Sequence, residues 1–267
     1  MGENNREDTW AEDSLADRFL GAYDTAKGFV RTAVMHRQLI EHLPAAPARI
    51  LDVGGGAGTQ SFPLAAAGYD VTLLDSSPAM LARARENLAS LPEDASARVT
   101  LVESDGRDAA ASVGGRPFDA VLCHGVLGYL DDPEPLVAQL CRCANPGGIV
   151  SIMTGNARTQ AVRPALEQRW DDALAAFDEP AGIGVLGVRG RADTVEELGA
   201  MLRTYGVQPV DWYGVWLFAD WLEFGGTRVD VSDRGALRAM AEVEYEAARR
   251  DPYRAMSRVF HLIGRKS

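Results

Sequence analysis

Three cysteines among 267 residues are too few, and too odd in number, to staple a fold with disulfides. The Cys141 and Cys143 pair has a CxC spacing that matches no zinc or redox motif. Reduced thiols in a cytoplasmic protein are the plain expectation. No apolar run approaches the roughly 18 residues that a membrane span needs. The start, Met1-Gly2-Glu3-Asn4-Asn5-Arg6-Glu7-Asp8, is polar, so neither a secretory nor a membrane route is expected. Repeats and low-complexity tracts are also missing. Basic charge is scarce: 27 Lys and Arg against 38 Asp and Glu leave a net charge of −11. A surface of that sign repels phosphate backbones at long range. This counts against a general nucleic-acid binder, though it leaves room for a local basic patch. Asp131 and Asp132 lack a third carboxylate or amide at matching spacing and read as a solvated helix start, so no metal is expected.

What is present is an alternation of short apolar runs and helical patterns. The first 45 residues read as helical, with Leu15, Phe19, Leu20, Phe29, Val30, Val34, Ile40 and Leu43 at helical spacing up to the break at Pro44 and Pro47. Strands are expected at 50–53, 71–74, 99–102, 119–123 and 149–153. Helices are expected at 58–67, 78–91 (opened by Ser76-Ser77-Pro78) and 133–143. The turn Asn145-Pro146-Gly147-Gly148 precedes the fifth strand. Such alternation implies a doubly wound α/β fold, with a mostly parallel sheet covered by helices on both faces. After Gly155 the rhythm changes. Residues 157–177 look helical and 178–191 look like a Gly-rich loop. A helix over 194–205 opens with the capping-box pattern Thr194 to Glu197. A strand over 207–216, a helix over 234–249 and a strand over 258–264 close the chain and bring the strands to seven. The expected organisation is one domain: an amino-terminal helical cap (1–45), a core (46–155), an insertion over the active-site mouth (156–192) and the rest of the sheet (193–267).

A glycine-rich turn between a strand and a helix is a nucleotide-cofactor site on physical grounds, because glycine lets the backbone approach a ligand and adopt positive φ. Here the turn is Asp52-Val53-Gly54-Gly55-Gly56-Ala57-Gly58. A dinucleotide loop has its third glycine where this chain has Thr59, and no dehydrogenase catalytic set accompanies the turn. Asp75, with Ser76 beside it, ends the second strand, where a carboxylate can accept ribose hydroxyls. Asp105-Gly106-Arg107-Asp108 follows the third strand, and the fourth runs into Cys123-His124-Gly125-Val126-Leu127. At these positions and spacings the chain resembles the class I S-adenosylmethionine-dependent methyltransferases, whose glycine loop wraps the methionine and ribose of the cofactor. That resemblance implies a seven-stranded Rossmann-like sheet. It implies S-adenosyl-L-methionine as cofactor, S-adenosyl-L-homocysteine as product, and an adenine site at Asp105 or Asp108. Asp52 reads either as the carboxylate that holds the loop or as a ligand. His124, at the mouth, is a candidate cofactor contact and, alternatively, a catalytic base. His36 and His42 are expected to pack or face solvent, and His261 to point into a helical layer.

The acceptor is narrowed by missing motifs. There is no [DNS]PP[YFW] after strand four for amino-group methylation of bases, no Pro-Cys nucleophile and no paired glutamates of the arginine-modifying kind. More closely, Tyr23-Asp24-Thr25-Ala26-Lys27-Gly28-Phe29-Val30-Arg31 resembles the Tyr-Gly-Thr-Thr-Lys-Gly-x-x-Arg segment of the bacterial tRNA 5-carboxymethoxyuridine methyltransferase family. Glu244-Tyr245, Asp251-Pro252-Tyr253 and residues 258–266 resemble its closing pattern. The resemblance implies that Arg31 meets the cofactor carboxylate and that Gly54, Gly55, Asp75, Gly106, Arg107 and His124 contact the cofactor; Gly56 of the same loop is a further candidate. Candidate acceptor contacts are Tyr23, Tyr129, Asn156, Arg189 and Arg258, with Arg191 a further arginine that could orient a carboxylate. This chain departs from the family where its insertion lacks a basic tract and reads Phe177-Asp178-Glu179 instead. With the net charge, that favours O-methylation of a small molecule, carboxylates among the candidates, over tRNA. A protein that binds the cofactor without transferring methyl is the reading from another class, with Trp212, Trp216 and Trp221 either a partner surface or the packing of the insertion.

Overall fold

The computed structural model describes residues 21, 23–178, 181–183, 189–227 and 229–267. The helical reading of Leu15, Phe19 and Leu20, and the middle of the Gly-rich loop at 184–188, lie outside those residues. The chain runs α1 (Ala26–Ile40), β1 (Arg49–Val53), α2 (Ser61–Ala66), β2 (Asp70–Asp75), α3 (Pro78–Leu88), α4 (Glu93–Ser96), β3 (Val99–Glu103) and α5 (Ala109–Ser112). It continues through β4 (Phe118–His124), α6 (Glu134–Cys143), β5 (Ala144–Gly155), α7 (Val162–Leu166), α8 (Trp170–Asp178), β6 (Ala181–Ile183) and β7 (Arg189–Arg191). The last elements are α9 (Val195–Thr204), β8 (Val207–Val215), α10 (Phe218–Phe224), α11 (Arg234–Ala248) and β9 (Val259–Lys266).

Seven strands form one sheet in the order β3-β2-β1-β4-β5-β9-β8. Pairings within β1 to β5 are parallel, and β9 runs antiparallel to both its neighbours. Strand order reverses direction at β1, so the crevice beyond the carboxyl ends of β1 and β4 is the natural ligand site of such a sheet. The two-residue period of the strands sorts their side chains between faces. Ile50, Ala120, Leu122, Ile149 and Ile263 join one core with Val30, Val34 and Leu39 of α1 and Tyr245 of α11. Leu51, Val53, Val121, Cys123, Val150, Ile152 and Leu262 join the other with Leu136 and Leu140 of α6 and Leu198 and Leu202 of α9. Burial on both faces explains why these strands read as nearly continuous apolar runs.

The ends of the elements follow local chemistry. Thr25 caps α1 by accepting from the Gly28 N–H at 3.0 Å, and Ser77 caps α3 with Pro78 in the first turn. The capping box expected at α9 is present, with Thr194 and Glu197 bonding reciprocally. The first helix of the core starts at Ser61 rather than at Gly58. Gly58 has φ +86°, and a side chain there would strike the Phe62 ring. β5 begins at Ala144, before the expected turn, because Ala144 pairs with Phe118 and the next four residues bulge before Ile149 pairs with Ala120.

Three expectations need correction. The helix over 157–177 is broken into a 3-10 turn, α7 and α8, with Gln168 at φ +59° between the last two. The supposed loop over 178–191 contains the antiparallel pair β6 and β7, in which Gly182 faces Gly190. Trp212, Trp216 and Trp221 lie outside the insertion. Trp212 lies on β8 and Trp221 on the unanticipated α10. Trp216, at the end of β8, donates Nε1–H to the Lys27 carbonyl at 3.0 Å and so packs beneath α1.

Residues 156–192 leave and rejoin the sheet at one point. Ala157 N–H donates to the Asp193 carbonyl and Asp193 N–H to the Gly155 carbonyl, both at 2.9 Å. Within the segment, β7 lies so close to the 3-10 turn Leu127–Tyr129 that a Cβ on Gly190 would sit 2.7 Å from the Gly128 carbonyl oxygen.

Candidate functional site

At the carboxyl ends of β1, β2, β3 and β4 lies a cavity of about 410 Å³. Gly54, Gly56, Asp75, Ser76, Asp105, Gly106, Arg107, His124 and Tyr129 are on its wall, with Val53, Met80, Val126 and Leu136 among the apolar lining. The glycine loop must be glycine here. Gly54 (φ +71°) and Gly56 (φ +56°) occupy left-handed backbone, and a Cβ on Gly54 would lie 2.3 Å from Val126. Gly106 carries the same constraint, because a side chain would meet Val53 and Leu136 below 3 Å. The backbone thus approaches the cavity closely on two sides.

Asp75 braces the loop. Its Oδ2 accepts from the Gly56 N–H at 2.8 Å and its Oδ1 from the Ser77 N–H at 2.9 Å. Burial pushes its pKa up, and those two donors pull it back down. At the far end, Asp105 accepts from the Arg107 N–H at 2.7 Å and pairs with the Arg107 guanidinium at 2.6 Å, which holds its carboxyl below the usual range. Asp108 closes the same 3-10 turn without reaching the cavity wall.

Two glycine-loop residues sit elsewhere than expected for ligands. Asp52 faces away from the cavity and accepts from Ser61 Oγ at 2.7 Å, tying β1 to α2. Gly55 is packed over Leu73 and the Asp52 carboxylate and is not on the wall either. Burial pushes Asp52 up to about 6, with the Ser61 hydrogen bond opposing and Asp75 adding repulsion. A folded pKa above the ordinary 3.8 means the contribution of Asp52 to stability is full below that value and is lost as pH rises through about 6. Asp52→Asn, which keeps an acceptor for Ser61, is therefore expected to stabilise the fold by on the order of 2 kcal/mol above neutrality and by nothing near pH 4. Urea denaturation at the two pH values checks this; a gain independent of pH contradicts it.

Arg31 and His124 stand together at the other end of the cavity. Arg31 is only 7% exposed. Its Nη2 lies 3.7 Å from where a Cβ of the wall residue Gly125 would be, and its guanidinium is 5.0 Å from the Tyr23 ring centroid. No acceptor among the described residues hydrogen-bonds that guanidinium, an expensive state for a desolvated cation and one that suits an anionic ligand. His124 is pushed well below its ordinary pKa by burial, with His261 and Arg31 adding to the effect. The ring is neutral at neutral pH and a weak base. Burial also raises Tyr23, and it raises Tyr129 to about 12.

Of the remaining acceptor candidates, Tyr23, Asn156, Arg191 and Arg258 are not on the wall. Asn156 is buried and fully engaged: its Oδ1 accepts from Arg158 N–H, and its Nδ2 donates to the carbonyls of Ala255 and Ser257. It pins the insertion to the segment before β9. Arg258 lies over Asp220 at 3.9 Å in a charged cluster that also includes Lys27. Arg191 pairs with Asp193 at 2.5 Å, and its buried Nε has no partner among the described residues. Arg189 is on β7, with its side chain outside the described part. Tyr23 lines a neighbouring cavity with Phe29, Arg83 and Arg234. Among the described residues no cluster of His, Cys, Asp and Glu could hold a metal ion, and no helix is long and apolar enough to cross a membrane.

Residues 51–150, the span holding this cavity, match the family model described as a methyltransferase domain. Over 258 residues, 95% of each chain, the protein is 27% identical to the tRNA 5-carboxymethoxyuridine methyltransferase of Escherichia coli (strain K12). It is 31% identical, over 77% of each chain, to the ubiquinone biosynthesis O-methyltransferase of Xanthomonas axonopodis pv. citri. Among solved structures its fold is similar to that of the magnesium protoporphyrin IX methyltransferase from Synechocystis PCC 6803 with bound SAH. The TM-score there is 0.57 at 16% identity, covering 90% of this chain and 83% of that one. With the strand order, the glycine cradle and these likenesses, the chain belongs to the class I S-adenosylmethionine-dependent methyltransferases.

Proposed function

We propose that the enzyme methylates an oxygen that reaches it already ionised, a carboxylate on a small molecule being the acceptor class. When bound, the cofactor supplies a sulfonium-borne methyl group, itself a good electrophile, so the protein's task is orientation. Asp75 would take the ribose hydroxyls, the Asp105 to Arg107 turn the adenine edge, Gly54 and Gly56 the path between, and Arg31 the carboxylate of the methionine part. Residues 156–192 would act as the lid that selects the acceptor. One observation carries the acceptor reading: the titratable groups near the mouth are poor bases at neutral pH. His124 is held neutral and Tyr129 near 12. A carboxylate needs no base.

A second reading is supported by the likeness that spans 95% of both chains to the tRNA 5-carboxymethoxyuridine enzyme. That acceptor is a carboxylate too, and the net charge of −11 weighs against a polyanion. Transfer of labelled methyl to purified tRNA, run beside transfer to a pool of small organic acids, separates the two; label in the acid pool is expected, and label in tRNA alone moves the acceptor to RNA. With either acceptor, kcat/KM is expected to stay flat between about pH 7 and 9. A rising limb of unit slope in that range would require a general base and would contradict the carboxylate reading.

A further inference from the structure

Behind His124 runs a buried chain of hydrogen bonds whose polarity is fixed from its far end. The Gly214 carbonyl can only accept, so Gln38 presents its Nε2 to it, at 3.3 Å, and its Oε1 to His261 Nδ1, at 2.9 Å. His261 must then carry its proton on Nδ1 and offer Nε2 as an acceptor. Ser151 Oγ, 2.7 Å away, donates its hydrogen to that nitrogen. The same Oγ lies 2.8 Å from His124 Nε2 and, having used its only hydrogen, must accept. His124 is thereby left with its proton on Nε2 and a bare lone pair on Nδ1, and the buried Nδ1 has no hydrogen-bond partner among the described residues.

The chain follows from the sheet. His124, Ser151 and His261 lie on the neighbouring strands β4, β5 and β9, on the face that also carries Leu122, Ile149 and Ile263. The two imidazole rings meet edge to face with centroids 5.2 Å apart. Gln38 comes down from α1 two turns beyond Arg31, so one helix face supplies the cation at the cavity and the anchor of the relay. Burial pushes His261 down to about 3, which keeps it neutral and the proton order intact.

We propose that Gln38, His261 and Ser151 are positioning residues that lock the His124 tautomer, so that its Nδ1 lone pair accepts a hydrogen bond from the ammonium group of the cofactor's methionine part. An acceptor beside a cation reads a zwitterionic α-amino acid: Arg31 takes the carboxylate and Nδ1 takes the ammonium. The opposite tautomer would aim a donor at a donor. This rests on the cofactor placement proposed above.

The test compares two ligands that share a thioether nucleoside. S-adenosylhomocysteine carries the ammonium and carboxylate, and 5′-methylthioadenosine carries neither. In calorimetry Ser151→Ala and Gln38→Leu are each expected to weaken S-adenosylhomocysteine about tenfold and to leave methylthioadenosine unchanged, which also reports an intact nucleoside site. Nitrogen-15 spectra of histidine-labelled wild type should show His124 with a bare Nδ1 that shifts on adding S-adenosylhomocysteine but not methylthioadenosine. Equal losses for both ligands, no loss for either, or a protonated Nδ1 in the wild type would overturn the relay. Failure of the wild type to bind S-adenosylhomocysteine would overturn the cofactor placement instead.

Discussion

Asp75→Ala is expected to weaken S-adenosylhomocysteine binding by roughly 100- to 1,000-fold. Two losses combine. The ribose hydroxyls would lose a charged acceptor, and the N–H groups of Gly56 and Ser77, which now donate to the two carboxylate oxygens, would be left without partners. The second loss loosens the loop that cradles the ligand, so the effect exceeds that of a single hydrogen bond. Asp75→Asn is expected to fail nearly as badly. Both oxygens already receive a backbone donor, and an amide would turn its NH2 against one of them. Calorimetry on variants whose thermal unfolding matches wild type measures this. Unchanged affinity would remove Asp75 from the site.

Arg31→Ala is expected to weaken the same ligand by about 50-fold while leaving methylthioadenosine nearly untouched. Among the described residues the buried guanidinium has no hydrogen-bonded acceptor, and it stands against Gly125 on the cavity wall. Arg31→Lys should recover only part of the loss, since an ammonium cannot make the paired contact of a guanidinium fork. Truncating Arg31 also removes a desolvated charge, so the folded chain should become no less stable. A variant that loses both ligands equally, or neither, contradicts the role given to Arg31.

The parts of this molecule that were legible in the sequence are those dictated by local pattern. Apolar runs such as Ile50 to Val53 become central strands because both faces of the sheet are covered, and Thr194 with Glu197 starts α9 as its capping box requires. The glycine turn was legible because positive φ at Gly54 and Gly56 leaves little choice of residue. Direction was harder to read. Asp52 and Asp75 are both acids near the carboxyl ends of their strands, yet one bonds Ser61 and the other lines the cavity, because Asp52 sits one residue before the end of β1 and Asp75 at the end of β2. Asn156 was a candidate acceptor contact, but its amide is spent on the carbonyls before β9.

The relay was the least visible feature, because Gln38 lies 223 residues from His261, and Ser151 110 residues from it, so they meet only through sheet order. A signal did exist. Ser151 and His261 interrupt the apolar runs Ile149 to Met153 and Phe260 to Ile263, and a buried polar residue in such a strand needs a partner. Residues 157–191 were read as one helix and one loop because their weak periodicity gives no hint of the break at Gln168 or of the β6 and β7 pairing.

The central claim is methyl transfer to a carboxylate, and the stability of the product bond tests it most directly. The enzyme, methyl-labelled cofactor and the acid pool are incubated, the cofactor is removed, and the product is exposed to mild alkali. A methyl ester hydrolyses, so the account predicts that the label leaves as volatile methanol. Label that stays on the product through the alkali would mean transfer to nitrogen, carbon or a hydroxyl oxygen, and would contradict it.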